Sequence, residues 1–432
     1  MKTLLKIAVF SLSVLCTAET VRADRKVSKK IRVQVEADGR DYHNSIVSIP
    51  WNGSNPVTVF ETTNGKQLRC ISQGESTPEG SKIYWKVDGT LKNGEVREYS
   101  IEPSTQPVRV TGEMSISEDK NGNLILQRGN QDILQYNTQI KKLPKYVDPA
   151  FRRAGYIHPA WSPAGNILTN INPADHMHHY GIWNPWTSIS YDNDKYDLWN
   201  LGLKQGTVRF DTVIRTSAGD LFAEIQVKHT HVIFRPGEKQ TVDTQEWTME
   251  FTPKEEIVIM QERLSMKAWN TGDKMFMWDF VSDLEPATAL PVILKAYRYA
   301  GFGFRATAEW TRDNCEMLTS EGKTRHEIDG TNGRWIYVSG QCANGKSGIL
   351  IMSHPANRMH PEPLRIWNEK ANGGRGDAFV NFSPSKNEDW VLEPEHTYRL
   401  HYRIVTYDGD MTPERAESLW QEFANTPKVT VK

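Results

Sequence analysis

The chain has 432 residues, and its 52 basic side chains nearly cancel 53 acidic ones, so no global field is available to hold a nucleic acid or an anionic membrane surface. That length exceeds one ordinary domain core and predicts two units. Beyond the first residues no stretch approaches the ~18 to 20 consecutive apolar residues that a membrane-crossing helix needs, so no membrane span is expected.

The chain opens on "MKTLLKIAVFSLSVLCTA", a lysine-bearing start, an apolar stretch and then small residues, which is the pattern of a secretory signal. Cleavage after Ala18 or Ala23 satisfies the small-residue rule, so residues 1–23 are read as a signal peptide and the mature protein as periplasmic. Cys16 falls in that segment, and Leu15 stands where lipid attachment wants a small residue. Cys70, Cys315 and Cys342 remain, an odd set too sparse for a disulfide framework. A Cys315–Cys342 bridge stays open, because sequence separation does not fix the approach of the two Cα atoms.

Short alternating runs follow. "IRVQVEA", "VTVFET", "KIYWKVDG" and "REYSIEP" place apolar or β-branched residues at every second position between turn pairs, as half-buried antiparallel strands do. They define a small β-sandwich over 24–105, closed by the proline-bearing "EPSTQP". From 106 to 432, "LILQRG", "AEIQVKHTHVIF", "TVDTQEWTMEF" and "YRLHYRIVTYDG" continue the pattern with no strand–helix–strand rhythm, which predicts a large antiparallel β-sandwich. One helix is expected, in "TPERAESLWQEFANT", where a Thr-Pro start precedes Ala416, Leu419, Trp420 and Phe423 on one face. The fold class is therefore all-β, with one short C-terminal helix.

Three of the twelve histidines fall within four residues of "DHMHHYGIWNPW". In an extended segment His176 and His178 point to one face and His179 to the other. Such a pair offers half of a zinc or iron site, with His158, His354, His360 or a carboxylate as further ligands. The same imidazoles suit acid–base chemistry or substrate contact, or a purely structural role bonding loop carbonyls. Upstream, "YIHPAWSPAGNILTN" supplies Tyr156, His158 and Trp161; downstream, "YDLWNLG" supplies Asp197, Trp199 and Asn200. Aromatic rings interleaved with polar groups are what a sugar site requires, since pyranose faces stack on indoles while hydroxyls need fixed partners. Trp183, Trp186 and Trp199 are the stacking candidates.

Two later stretches can complete a site. "YAGFGFRATAEW" carries Arg305 and Glu309, with glycines at 301 and 303 that allow a close-packed backbone to aim the arginine. "SHPANRMHPEPLRIW" carries His354, Asn357, Arg358 and His360. A guanidinium forks a carboxylate and stabilises the charge that develops when a proton leaves the adjacent carbon. "GGRGD" at 373–377 is read as a turn. No nucleophile elbow, phosphate-binding loop, dinucleotide fingerprint or HExxH helix is present.

The series "QYNTQIKKLP", "YIHPAWSPAGNILT", "DHMHHYGIWNPW", "DLWNLG", "GFGFR", "SHPANRMHPEP" and "YRLHYRIVTYDGD" resembles the PmoA-like family of exported bacterial proteins over residues 130–410. The resemblance implies an accessory of polysaccharide utilisation and a fold similar to galactose-mutarotase-type sandwiches. It implies His158, His176, His178, His179, Arg305 and His354 as site residues. The family often has proline where Met177 stands and arginine where Tyr180 stands, so the resemblance supplies no anion contact there and leaves Tyr180 as an acid.

The expectation is a carbohydrate-active carbon–oxygen lyase acting on uronic-acid oligosaccharides, with a histidine of the cluster as base, Arg305 on the enolate charge and Tyr180 or His158 as acid. Tyr156, Trp161, Trp183, Trp186, Asp197, Trp199, His354 and Asn357 are expected to bind the substrate. No cofactor is expected, with a divalent metal at His176 and His178 left open. The alternatives are a hydrolase or mutarotase-like epimerase, in which a histidine shares proton transfers with Glu309 or Asp197, and a non-catalytic glycan-binding module.

Overall fold

The computed structural model describes residues 30–52, 56–78, 80–104, 112–243, 248–272 and 274–432. The expected signal peptide, Cys16 and residues 105–107 of the expected linker lie outside the described residues. Mostly antiparallel β-structure is present throughout, because the alternating runs bury one face each: Val33 and Val35 of strand Ile31–Glu36 are fully buried while their neighbours are not.

In the small unit a five-stranded sheet packs on a three-stranded one around Val33, Val35, Val59, Ile83, Trp85, Tyr99 and Ile101. Its edge strand is Lys428–Val431, the last of the chain, which pairs antiparallel with Ile31–Glu36. The small sandwich is thus closed by residues from both ends of the sequence. It is fastened to the large unit by polar bonds: Gln73 Oε1 accepts from the amides of Leu221 and Phe222, both at 3.1 Å, and Glu75 pairs with Lys267 at 2.8 Å.

The large unit sets an eight-stranded sheet against a nine-stranded one. Their shared core takes Ile225, Met266, Phe280 and Ile404 from the first and Ile157, Ile182, Phe304 and Val380 from the second, each such side chain contributing roughly 1.5–3 kcal/mol by leaving water. Register in the nine-stranded sheet decides where the site lies. Ile182, Phe304, Val380 and Ile366 form one cross-strand row that points into this core. The rows on either side of it, Trp183–Gly303–Asn381–Arg365 and Arg305–Phe379, point to the opposite face, because side chains alternate along a strand.

The expected helix is Pro413–Ala424, with Thr412 Oγ1 accepting from the Arg415 amide at 3.2 Å. Its buried residues are the four anticipated, Ala416, Leu419, Trp420 and Phe423. They cover the outer face of the eight-stranded sheet through Trp335, Leu350, Met352 and Val405. Cys70, Cys315 and Cys342 are free, so the Cys315–Cys342 bridge left open by the sequence is not formed. Among the described residues no helix is long and apolar enough to cross a membrane.

Candidate functional site

The histidine motif is not extended. Two consecutive turns carry it: the His176 amide donates to the Pro173 carbonyl and the His179 amide to the His176 carbonyl, each at 2.9 Å. The loop is tied off where Ile171 bridges Tyr180. These turns replace strand alternation with a curl, so His179 joins its two neighbours instead of facing away from them. Ring centroids lie 5.6 Å apart for His176 and His178, 4.9 Å for His176 and His179, and 4.8 Å for His178 and His179.

Beneath the imidazoles is an aromatic floor made by the outward rows of the nine-stranded sheet. His179, 2% exposed, stacks on Phe379 at 5.1 Å and meets Trp183 and Trp367 at 5.3 and 5.4 Å. Trp183 and Trp199 lie across Gly303, where a Cβ would stand 3.4 Å from both indoles. Gly301 adopts a left-handed backbone (φ +72°). The two glycines therefore act as expected, one bending the chain and one admitting the indoles beside Arg305.

The polar half of the site centres on Asp175. Its Oδ2 lies 3.0 Å from His176 Nδ1 and accepts from Asn372 Nδ2 at 2.6 Å. Arg305 Nη2 is 3.8 Å from Asp175 and 3.4 Å from Asp377, and its guanidinium lies 5.0 Å over Trp367. Arg375 closes the network on Asp377 at 2.6 Å. Burial pushes the Asp175 carboxyl up, but the His176 hydrogen bond and the Arg305 charge outweigh it and hold it below its ordinary value. Burial, reinforced by His176 and Arg305, drives His178 down to about 4, and the same causes with His178 drive His179 well below its ordinary value. Both rings are neutral near pH 7. The His176 side chain is 28% exposed, and His178 is likewise only half-buried.

Several expected site residues are spent elsewhere. Arg305 is 1% exposed; its Nη2 is opposed by the Asp175 and Asp377 carboxylates, while its buried Nη1 has no hydrogen-bond partner. Tyr180 is buried, and its hydroxyl donates to the Phe151 carbonyl, which corrects its reading as an acid. Tyr156 packs on Tyr180 at 4.9 Å, below the floor. The His158 ring bonds Thr169 at 2.9 Å, and burial with the Lys141 charge lowers its pKa to about 4. Trp186 is wholly buried in the main core against Trp390; Trp183 and Trp199, 1% and 3% exposed, are walls, not stacking platforms. Trp161 bridges Ile167, and its carbonyl accepts from Thr406, outside the aromatic floor.

Asp197 is consumed by its own turn, accepting from the amides of Trp199 and Asn200 at 2.8 Å. The Glu309 carbonyl holds Asn314. His354 stacks on His401 at 5.2 Å, and Asn357 Nδ2 donates to Glu362 at 2.8 Å. These two belong to a separate constellation beside the C-terminal helix.

Sequence reading missed Asp175, Trp367, Asn372, Arg375, Asp377 and Phe379. Asp175 was legible as the immediate neighbour of the cluster. "GGRGD" does make a turn, with Asn372, Gly373 and Gly374 left-handed, but the turn delivers Arg375 and Asp377 to the site. Beside Trp367 a depression of about 460 Å³ is lined by Tyr299, Arg365, Lys370 and Asn372. Among the described residues, no group of three or more His, Cys, Asp or Glu side chains is arranged to hold a metal ion.

Residues 123–421, which lie within the large unit, match a family model described as a family of unknown function (DUF6807). No curated protein matches the chain.

Proposed function

Taking as premise that the chain belongs to the family of unknown function DUF6807, we propose that it is a carbon–oxygen lyase acting on uronic-acid oligosaccharides. The observation that carries this reading is the Asp175–His176 dyad: a carboxylate 3.0 Å from Nδ1 of a part-exposed imidazole, which leaves Nε2 free to meet a substrate. A carboxylate in that position fixes the tautomer and stabilises the imidazolium once a proton arrives.

In the proposed reaction His176 Nε2 takes the proton from the carbon next to the uronate carboxylate. The electron pair left behind forms the new carbon–carbon double bond as the neighbouring carbon–oxygen bond breaks, and His176 returns the proton to the departing oxygen. Tyr180, whose hydroxyl bonds the Phe151 carbonyl, and His158, whose Nδ1 bonds Thr169, have no part in this scheme. Exposed Lys370, on the adjacent depression, is the cation placed to hold the substrate carboxylate and its developing enolate charge, with Arg375, 53% exposed and paired with Asp377, beside it. His178 and His179 supply neutral walls. The resemblance to exported polysaccharide-utilisation proteins agrees with this substrate class and with a periplasmic location.

Hydrolysis is the second reading, since Asp175 is a part-exposed carboxylate beside an imidazole. It is disfavoured because the nearby Asp377 carboxylate is 4% exposed and held by two arginines, whereas glycosidases employ two working carboxylates. Incubation with a panel of uronic-acid oligosaccharides, followed by mass spectrometry and ultraviolet absorbance, tests the assignment. Loss of one water, or an unsaturated uronate, that disappears in His176→Asn supports the lyase; a new reducing end without absorbance supports hydrolysis and overturns it.

A further inference from the structure

A second cavity, of about 960 Å³, is lined by none of the clustered histidines. Arg153 lines it, 3% exposed, with its guanidinium 5.8 Å from the Tyr180 ring. Its Nε is sealed from solvent and has no hydrogen-bond partner. Among the described residues no carboxylate lies within ion-pair distance of it. Glu262, the buried carboxylate whose charge reaches it, has its oxygens taken by His229, Ser282 and Asn184 at 2.6–2.9 Å. Leaving a buried guanidinium without a charge partner is costly, and an anion supplied from solution removes that cost.

The rest of the lining agrees. Five cations and two carboxylates line the cavity, an excess of three positive charges in a chain whose net charge is −1. Asp148 pairs with Lys204 and Glu256 with Arg209, both at 2.7 Å, so among the described residues Arg152, Arg153 and Lys254 have no carboxylate partner. Half-buried Phe210 and Phe234 give the cavity aromatic walls, suited to the face of a sugar ring.

We propose that this cavity is a binding site for an acidic sugar, whose oxyanion is forked by Arg153 while its ring lies against Phe210 and Phe234. A planar carboxylate matches the guanidinium best; a sulfate or phosphate ester presents the same oxyanion chemistry. The sugar part rests on the function proposed above, and the oxyanion part does not. Leu201 lines this cavity and also packs in the aromatic cluster of the first site, so the two sites share a wall residue.

Calorimetric titration of the full chain with galacturonate, galactose 6-sulfate, galactose 6-phosphate and neutral galactose tests the proposal and identifies the source of the oxyanion. Galacturonate is expected to bind, galactose at least tenfold more weakly. Arg153→Met, which keeps an unbranched apolar stem and removes the guanidinium, is expected to weaken galacturonate binding tenfold or more. Lys254→Glu at the rim leaves the floor intact and is expected to weaken it three- to tenfold. His176→Asn is expected to abolish turnover and leave this binding unchanged, which separates failure of the lyase reading from failure of this one. Tighter binding of either ester than of galacturonate keeps the oxyanion site and changes its source. Binding unaffected by both Arg153→Met and Lys254→Glu, equal affinity for galactose, or no binding of any acidic probe overturns the proposal.

Discussion

The Asp175 carboxylate lies 3.0 Å from His176 Nδ1 while its charge is steadied by Arg305, 3.8 Å away. A base oriented by an acid that is itself oriented by a buried cation is a graded arrangement, and each layer has a distinct kinetic consequence. His176→Asn is expected to lower kcat by about 10²- to 10⁴-fold with KM little changed. Asp175→Asn, which keeps the shape but removes the charge, should fall by a smaller factor. Steady-state kinetics on an oligosaccharide that the wild type turns over checks both, and equal losses in kcat and in substrate affinity would assign the pair to binding.

Gly303 is where the aromatic floor touches the sheet. A methyl group there meets Trp183 and Trp199 at 3.4 Å, and the indoles are buried among other rings with little room to retreat. Gly303→Ala is expected to destabilise the protein by about 1–3 kcal/mol, the usual range for overpacking. Urea unfolding gives the stability, and near-ultraviolet circular dichroism reports whether the indoles have moved. A variant with wild-type stability and spectrum would mean that the indoles are loosely held.

Two histidines set a limit on acid stability. Burial holds His158 and His178 near pKa 4 instead of 6.5, so between those pH values the unfolded chain binds protons that the folded protein refuses. Stability therefore rises with pH across this window and is lost as pH falls from 6.5 to 4, by on the order of 2 kcal/mol for each ring. His178→Asn should flatten that slope. Urea titrations at several pH values compare the two proteins, and identical slopes would show that His178 is solvated in solution.

Glu362 works in the opposite direction. Its carboxyl is fully buried and accepts from Ser353, Asn357 and Tyr402; burial outweighs these bonds and raises its pKa from 4.5 to about 7. The folded protein retains a proton that the unfolded chain releases, so this group's contribution to stability declines as pH rises from 4.5 through 7. Glu362→Gln, neutral at every pH, is expected to match the wild type near pH 5 and exceed it by about 2 kcal/mol near pH 8. Thermal or urea unfolding at the two pH values decides the matter, and a variant that is weaker at both would mean the carboxylate is ionised and required.

Local chemistry determined much of this protein before any folding was considered. Alternation of apolar and polar residues was enough for the all-β class, because a strand with one buried face must repeat every second residue. The Thr-Pro start and four spaced apolar side chains were enough for the C-terminal helix. The density of imidazoles marked the loop that carries the candidate dyad. What lay beyond reach was every contact between residues distant in sequence. Asp377 and Trp367 meet Arg305 only because the strands Gly303–Arg305 and Phe379–Phe382 pair in one register. The final strand joins the small sandwich more than 300 residues from its partner for the same reason. His179 turned inward because two tight turns overruled the strand pattern. Composition can say that an arginine, an acid and an imidazole are present; only the register of the sheet decides which of them is buried, which is paired and which is left facing the solvent.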